Sequence, residues 1–305
     1  MVLGQSMETA TVKHIEQEQD DYLHLMRRHP CYNPGAHNVF GRIHLPVSPV
    51  CNIGCRFCTR DCDGTTQRPG MSRGVLSPLE AVGLVERALA LCPQITVVGV
   101  AGPGESLASL HALAALSLVH QRFPGLIGCL STNGLALRKY VRHLVGAGVK
   151  TVSITVNSVD PAILERINAG VALKGRWIAG REGAELLIRE QLAGIGEAVG
   201  QGLIVKTNAV LIPGINDRHI GEIARAVSAA GAGMMNVIPL IPNHELAHIP
   251  APDCPMLQEA REAAEAHLPV FRHCRQCRAD ACGIPGGKDL AGELYDRRLE
   301  TFSHG

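Results

Sequence analysis

The chain has 305 residues, with 29 Lys and Arg against 28 Asp and Glu, and no basic block of the kind that nucleic-acid binders carry. No apolar run reaches the roughly 18 residues of a membrane span, and 33 Gly and 18 Pro beside one Trp, four Tyr and five Phe suit many short βα turns better than an aromatic-rich sandwich. Eleven cysteines in a long chain, odd in number and without an apolar leader, read as reduced, metal-binding thiols in a cytoplasm instead of secreted disulfides.

Residues 1–38 are read as an N-terminal extension, polar until His24-Leu-Met-Arg-Arg-His-Pro-Cys-Tyr-Asn-Pro, which predicts a short helix and a Pro-limited turn around Cys31. Residues 39–47 alternate enough for a first strand, which carries His44 and delivers the chain to Cys51-Asn-Ile-Gly-Cys55-Arg-Phe-Cys58. Three thiols spaced C-x3-C-x2-C can converge on one iron–sulfur cube while its fourth iron stays without a protein ligand. Such an open corner can take an exogenous ligand, by the logic that makes three-ligand metal sites catalytic. Zinc sites usually pair two C-x2-C units, and no second pair lies nearby, so a zinc scaffold is the weaker reading. Cys62 follows four residues beyond Cys58.

A helix over 76–91 opens with Ser77 as N-cap and Pro78 at the first helical position. A buried-type strand over 95–101 ends in Gly102-Pro-Gly-Glu105, where glycines let the backbone approach a ligand and a carboxylate can meet a cation. Then come a helix over 106–122, a strand over 126–134 carrying Cys129 and Ser131-Thr-Asn133, a helix over 135–146, and a strand over 150–157 carrying Ser153 and Asn157. The polar, Gly-rich stretch 160–180, which holds Trp177, is expected to be a long functional loop or lid. A helix over 183–200, a strand over 203–211 with Asn208, a helix over 217–230 and a strand over 234–240 with Asn236 complete the regular part.

Six strands with interleaved helices predict an α/β fold, a partial (βα)6 TIM-like barrel over 39–240 with its functional groups at the C-terminal strand ends. Residues 241–305 are expected to form a helix near 256–267 and a Cys-rich tail, with no second globular domain. In that tail Cys274 and Cys277 form a C-x2-C pair, for which a disulfide competes with a metal role. Each remaining thiol alone reads as a small buried hydrophobe, and Cys92 and Cys254 are taken as structural; together the others imply more than one cluster.

The cysteine loop resembles that of the radical S-adenosylmethionine (SAM) superfamily, whose open iron is chelated by the amino and carboxylate groups of SAM and whose cluster cleaves it to a 5′-deoxyadenosyl radical. Gly102-Pro-Gly-Glu105 is similar to that superfamily's Gly-rich motif, which makes Gly102, Gly104 and Glu105 candidates for the methionine ammonium and Ser153, Asn157 and Asn208 candidates for the carboxylate or ribose hydroxyls. His29-Pro-Cys31-Tyr, Arg68-Pro-Gly, Leu130-Ser-Thr-Asn-Gly134, Ile154-Thr-Val-Asn157, Ile212-Pro-Gly-Ile-Asn-Asp217 and Cys274-Arg-Gln-Cys277-Arg-Ala-Asp280, in this order, resemble the NifB family of nitrogenase cofactor biosynthesis proteins over roughly residues 20–285. The chain resembles the short form, without the C-terminal carrier domain that many members have. Cys282 stands where that family's stretch is expected to hold another residue.

The resemblance implies a carbide synthase. Two [4Fe-4S] clusters are fused around a carbon from a SAM methyl group, with an added sulfur, into an eight-iron precursor of the nitrogenase cofactor. It implies three clusters: one on Cys51, Cys55 and Cys58, one precursor on Cys31, Cys129 and His44, and one on Cys62, Cys274 and Cys277, with His24 or His29 as substitutes for His44. The partners implied are SAM, cluster donor proteins, and downstream cofactor carrier and scaffold proteins. A radical SAM enzyme that modifies a peptide or small molecule, with auxiliary clusters for electron transfer, is the alternative.

Overall fold

Runs of apolar residues build a sheet of six parallel strands: β1 (Gly41–His44), β2 (Ile95–Val100), β3 (Ile127–Thr132), β4 (Val149–Thr155), β5 (Ile204–Leu211) and β6 (Met234–Pro239). The structure, a computed structural model, describes residues 23–62 and 65–295, except the side chains of residues 61 and 62. The expected Cys62 ligand and the outer parts of the two terminal extensions therefore lie outside the described residues.

The strand order is β6-β5-β4-β3-β2-β1, closed off by a short β7 (Cys282–Gly283) that pairs antiparallel with β1. Each of the six parallel strands lies beside its predecessor, so each crossover adds one step to the same twisted sheet, which curls into a partial barrel. β2 is buried at all its positions, as a strand covered on both faces must be.

The crossover helices are α1 (Pro78–Leu91), α2 (His111–Arg122), α3 (Leu137–Gly146), α4 (Pro161–Ile167), α5 (Gly180–Gly200) and α6 (Ile220–Ala229), with α7 (Cys254–Glu265) after the last parallel strand. α1 starts as expected: Ser77 accepts from the Glu80 N–H, the Glu80 side chain accepts from the Ser77 N–H, and Pro78 opens the helix. It buries Ala81, Leu84, Val85 and Ala88, an i, i+3, i+4, i+7 face laid on the sheet. α6 does the same with Ile220, Ile223, Ala224 and Val227.

The stretch 160–180 is not the loop that its glycines suggested. Asp160 caps α4 by accepting from the Ala162 N–H at 2.7 Å, with Pro161 in the first turn. The rest is a β-hairpin of Asn168–Leu173 and Arg176–Ala179, whose turn residues Lys174 and Gly175 both have positive φ, as a two-residue hairpin turn requires. This hairpin adds to Ile53–Cys55, so the cysteine loop itself is the edge of a three-stranded sheet, with Ile53 opposite Val171 and Cys55 opposite Asn168.

The tail returns to the sheet through a buried ion pair. Arg278 and Asp280 are each 1% exposed, and Arg278 Nε and Nη2 donate to the two Asp280 oxygens at 2.9 and 3.1 Å. The Asp280 carboxylate also accepts from the Arg73 N–H at 2.7 Å and from its guanidinium at 3.1 Å, joining the tail to the segment after the cysteine loop. Removing the Asp280 carboxylate withdraws a doubly hydrogen-bonded charge partner from a fully buried guanidinium, which is the costly way to break such a pair. Asp280→Ala should therefore lower the stability of the metal-free protein by ~3–5 kcal/mol, measured by chemical denaturation; a loss near zero would show that the tail is not held by this pair.

Candidate active site

The concave side of the sheet encloses a cavity of about 370 Å³. Seven thiols line it: Cys31, Cys51, Cys55, Cys58, Cys129, Cys274 and Cys277. His44, Gly104, Glu105, Ser153, Asn157 and Asn208 line it as well, so among the described expected site residues only Gly102 is not on its wall. All of these cysteines are free thiols, and Cys274 and Cys277 form no disulfide.

The cysteine loop is pinned from three sides. Its lead-in bonds to the turn after β2, with the Gly104 and Glu105 N–H groups donating to the Ser48 and Val50 carbonyls at 2.8 Å each. A Cβ on Gly104 would lie 2.2 Å from the Val50 carbonyl oxygen, so the residue must be glycine for a backbone contact within the protein, independent of any ligand. On the second side, the Asn52 carbonyl accepts from the Ala172 N–H of the hairpin, and its side-chain oxygen accepts from Asn133 at 2.7 Å. Beyond Cys58, Arg68 donates to the Thr59 carbonyl at 2.6 Å and to its hydroxyl at 2.7 Å.

Glu105 is 5% exposed and its carboxylate accepts from the Thr132 hydroxyl, the Asn133 N–H at 2.7 Å and the Leu107 N–H at 3.0 Å. Burial pushes its pKa up, and these three donors work against that push. The carboxylate thus joins the end of β2 to the end of β3. Asn157 accepts from the Val210 N–H at 2.9 Å, and Asn208 accepts from Asn236 at 3.2 Å midway along β5 and β6, so the asparagines cross-link neighbouring strands. The Ser153 hydroxyl pairs with Tyr32 at 3.2 Å, which places it beside the Cys31 segment.

Burial raises the pKa of Cys51, Cys55 and Cys58, while Arg60 opposes the shift at all three and Arg68 at Cys58. The thiols are therefore protonated in the metal-free chain, and loading with iron must displace their protons.

A second group of donors sits across the middle strands. His44, Gly99 and Cys129 are in register on β1, β2 and β3, and a Cβ on Gly99 would stand 3.4 Å from the His44 ring and 3.6 Å from the Cys129 Cβ. The glycine leaves open the gap between the imidazole and the thiol. His44 Nδ1 faces the Arg278 carbonyl at 3.1 Å and so carries the hydrogen, which leaves the Nε2 lone pair free; metal-binding histidines commonly show this arrangement. Burial and the nearby Arg42 hold the His44 pKa down at about 4, so the ring is neutral.

Cys31 is pushed up to about 12 by burial, against Lys206 and Arg42, and lies within electrostatic reach of both Cys277 and Cys129. Arg42 donates to the Cys277 sulfur at 3.1 Å. Cys31 thus faces the tail thiol as well as the strand thiol, and the two expected ligand sets share a boundary.

Several neighbours escaped the sequence reading. His29 cannot replace His44: its Nδ1 accepts from the Cys31 N–H at 3.1 Å and its Nε2 meets the Thr151 hydroxyl at 3.2 Å, so both nitrogens are engaged. His24 is exposed on the helical residues 23–28. Cys282 is fully buried in β7 among core residues, and Cys92 is buried in the same core, whereas Cys254 is exposed at the start of α7. Lys206 and Arg42 are buried cations beside the thiols; a charge inside an apolar strand run was their only mark in the sequence.

The donor chemistry fits an iron–sulfur cluster and a polar ligand. Asn168 Oδ1, Gln191 Oε1 and Asn236 Oδ1 are buried without a partner on residues of the cavity wall, so acceptors stand ready for a ligand's donors. Among the described residues no three His, Cys, Asp or Glu groups close on a single metal ion, whereas a cube spreads its ligands over separate iron corners.

The curled sheet and the three-thiol loop at its rim define a radical SAM enzyme, and the Radical SAM superfamily profile matches residues 45–227. The fold is shared with a radical SAM methyltransferase from Sphaerobacter thermophilus, at a TM-score of 0.56 and 19% identity over 75% of this chain and 65% of that one. The chain belongs to the NifB family of FeMo cofactor biosynthesis proteins. It is 41% identical to the NifB of Methanocaldococcus infernus over 94% of this chain and all of that protein, and 39% identical to that of Azotobacter vinelandii over 91% of this chain and 56% of the longer protein. Membership implies a [4Fe-4S] cluster and SAM. No helix among the described residues is long and apolar enough to cross a membrane.

The buried His44 also gives the metal-free protein a pH dependence. Its folded pKa lies below the ordinary 6.5, so between pH 6.5 and about 4 the unfolded chain binds more protons. Stability is full above that window and is lost as the pH falls through it. Unfolding midpoints measured from pH 7 to 4 should decline less steeply in His44→Gln than in the wild type; parallel slopes would refute the assignment.

Proposed function

We propose that the chain makes the eight-iron, carbide-centred precursor of the nitrogenase cofactor from two [4Fe-4S] substrate clusters, a carbon from a SAM methyl group and an added sulfur. The observation that carries this reading is that a second set of thiols, Cys31, Cys129, Cys274 and Cys277, shares one cavity with the cysteine loop. An enzyme acting on a peptide needs only a groove beside the SAM site, and auxiliary electron-transfer clusters need no common chamber with it.

Cys51, Cys55 and Cys58 hold the SAM-binding cluster, which with SAM supplies the methyl group and the hydrogen-abstracting radical. The Gly102–Glu105 turn seats the methionine end of SAM, with the Glu105 charge near its ammonium and the β3 end held by the same carboxylate. Asn157 and Asn208 face the ligand's polar edges, while Ser153 orients Tyr32 beside Cys31. His44 presents Nε2 to one substrate cluster alongside Cys31 and Cys129. Neutral imidazole holds iron less firmly than thiolate, which suits a site that must be vacated. Cys274 and Cys277, with Cys62, take the other cluster at the rim, where Cys274 is exposed and exchange with donor and carrier proteins in the cytoplasm is open.

Anaerobic reconstitution should load roughly twelve irons per chain, three four-iron cubes, and SAM with a reductant should then be consumed without any organic substrate while the iron spectra change. His44→Ala should alter the spectrum of one cube and leave the others. A wild type that saturates near a single cube would remove the assembly role, and unchanged spectra in His44→Ala would remove the histidine ligand.

A further inference from the structure

Lys206 is a charge in an unusual place. It sits on β5 between Val205 and Thr207, is 5% exposed, and reaches the cavity wall. Its ammonium donates to the Cys31 carbonyl at 2.8 Å and lies over the rings of Tyr32 at 4.4 Å and Phe271 at 5.3 Å. Among the described residues no carboxylate pairs with it. A buried ammonium is costly unless an anion meets it, and one carbonyl and two aromatic faces offset only part of that cost.

The anion is absent from the protein but implied by its thiols. Lys206 is bonded to the Cys31 backbone itself and shares one cavity wall with the Cys31 and Cys129 thiols. Both must become thiolates to bind iron, and each electron added to a thiolate-ligated cube increases its negative charge.

We propose that Lys206 is the counter-cation of an anion seat in the barrel floor, whose ligand is the thiolate-bound iron–sulfur cluster carried by Cys31 and Cys129. This rests on the reading of those thiols as substrate-cluster ligands. The ammonium is in place before the cluster arrives, held off solvent by Tyr32 and Phe271, so it favours the anionic bound cluster and the reduced state of the cube. It also separates this position from the rim position at Cys274, where the thiol is exposed and solvent screens the charge.

The test uses the full chain, reconstituted anaerobically with iron and sulfide. Lys206→Met keeps the stem against the aromatic rings and removes the charge, Lys206→Gln keeps a donor for the Cys31 carbonyl without charge, and Lys206→Arg keeps the charge. Iron and sulfide per chain are counted, and the cubes are titrated with reductant under electron paramagnetic resonance. In the Met and Gln variants one cube should be lost, or its midpoint potential should fall by at least ~59 mV, a tenfold less favourable one-electron reduction; Arg should restore both. Should Met fail to fold, Gln decides. A Lys206→Gln protein with wild-type iron content and potentials, as a merely structural strut would give, overturns the proposal alone. A wild type that holds only one cube overturns it together with the cluster-assembly reading.

Discussion

Two backbone hydrogen bonds, from the Gly104 and Glu105 N–H groups to the Ser48 and Val50 carbonyls, tie the cysteine loop to the end of β2. They form only because residue 104 has no side chain, since a Cβ would stand 2.2 Å from the Val50 oxygen. Glu105 then passes the constraint on: its carboxylate binds the end of β3, and Asn133 there binds Asn52 back in the loop. The result is a closed circuit of short bonds around the cavity mouth. The three thiols are held by the sheet itself, which gives the loop the rigidity that a pre-organised metal site needs.

Electrostatics divide the cavity into two regions. At the mouth Arg60 and Arg68 lie near the loop thiols, in a region partly open to water. In the floor, Lys206 and Arg42 are buried beside Cys31, where charge is screened far less. A ligand that moves from floor to mouth would pass from a strong field to a weak one.

Much of this was readable in the sequence. All six parallel strands follow from apolar runs bounded by turn residues, and the Ser77-Pro78 start of α1 follows from capping chemistry. The C-terminal strand ends place Glu105, Asn133 and Asn157 on the cavity wall, as a parallel sheet should, whereas Asn208 and Asn236 reach the same wall from register positions midway along β5 and β6. What stayed hidden depends on partners distant in sequence. The 168–179 hairpin was obscured because its Lys174-Gly175 turn lacks the usual Asn-Gly mark and its outer strand is largely exposed. The tautomer of His44 is set by the Arg278 carbonyl, 234 residues away, and the exclusion of His29 by Thr151, 122 residues away. The sequence pattern at Gly104 suggests room for a ligand, whereas the structure uses that room for the Val50 backbone.

The hairpin also brings the chain's single tryptophan against the cysteine loop: the Trp177 ring is what a Cβ on Gly54 would meet, at 3.0 Å, one residue before Cys55. Iron–sulfur cubes absorb broadly across the near ultraviolet and accept excitation energy from an indole at such short range. The emission of this one side chain is therefore a built-in optical gauge of whether the loop carries its cluster, free of interference from any other indole in the protein.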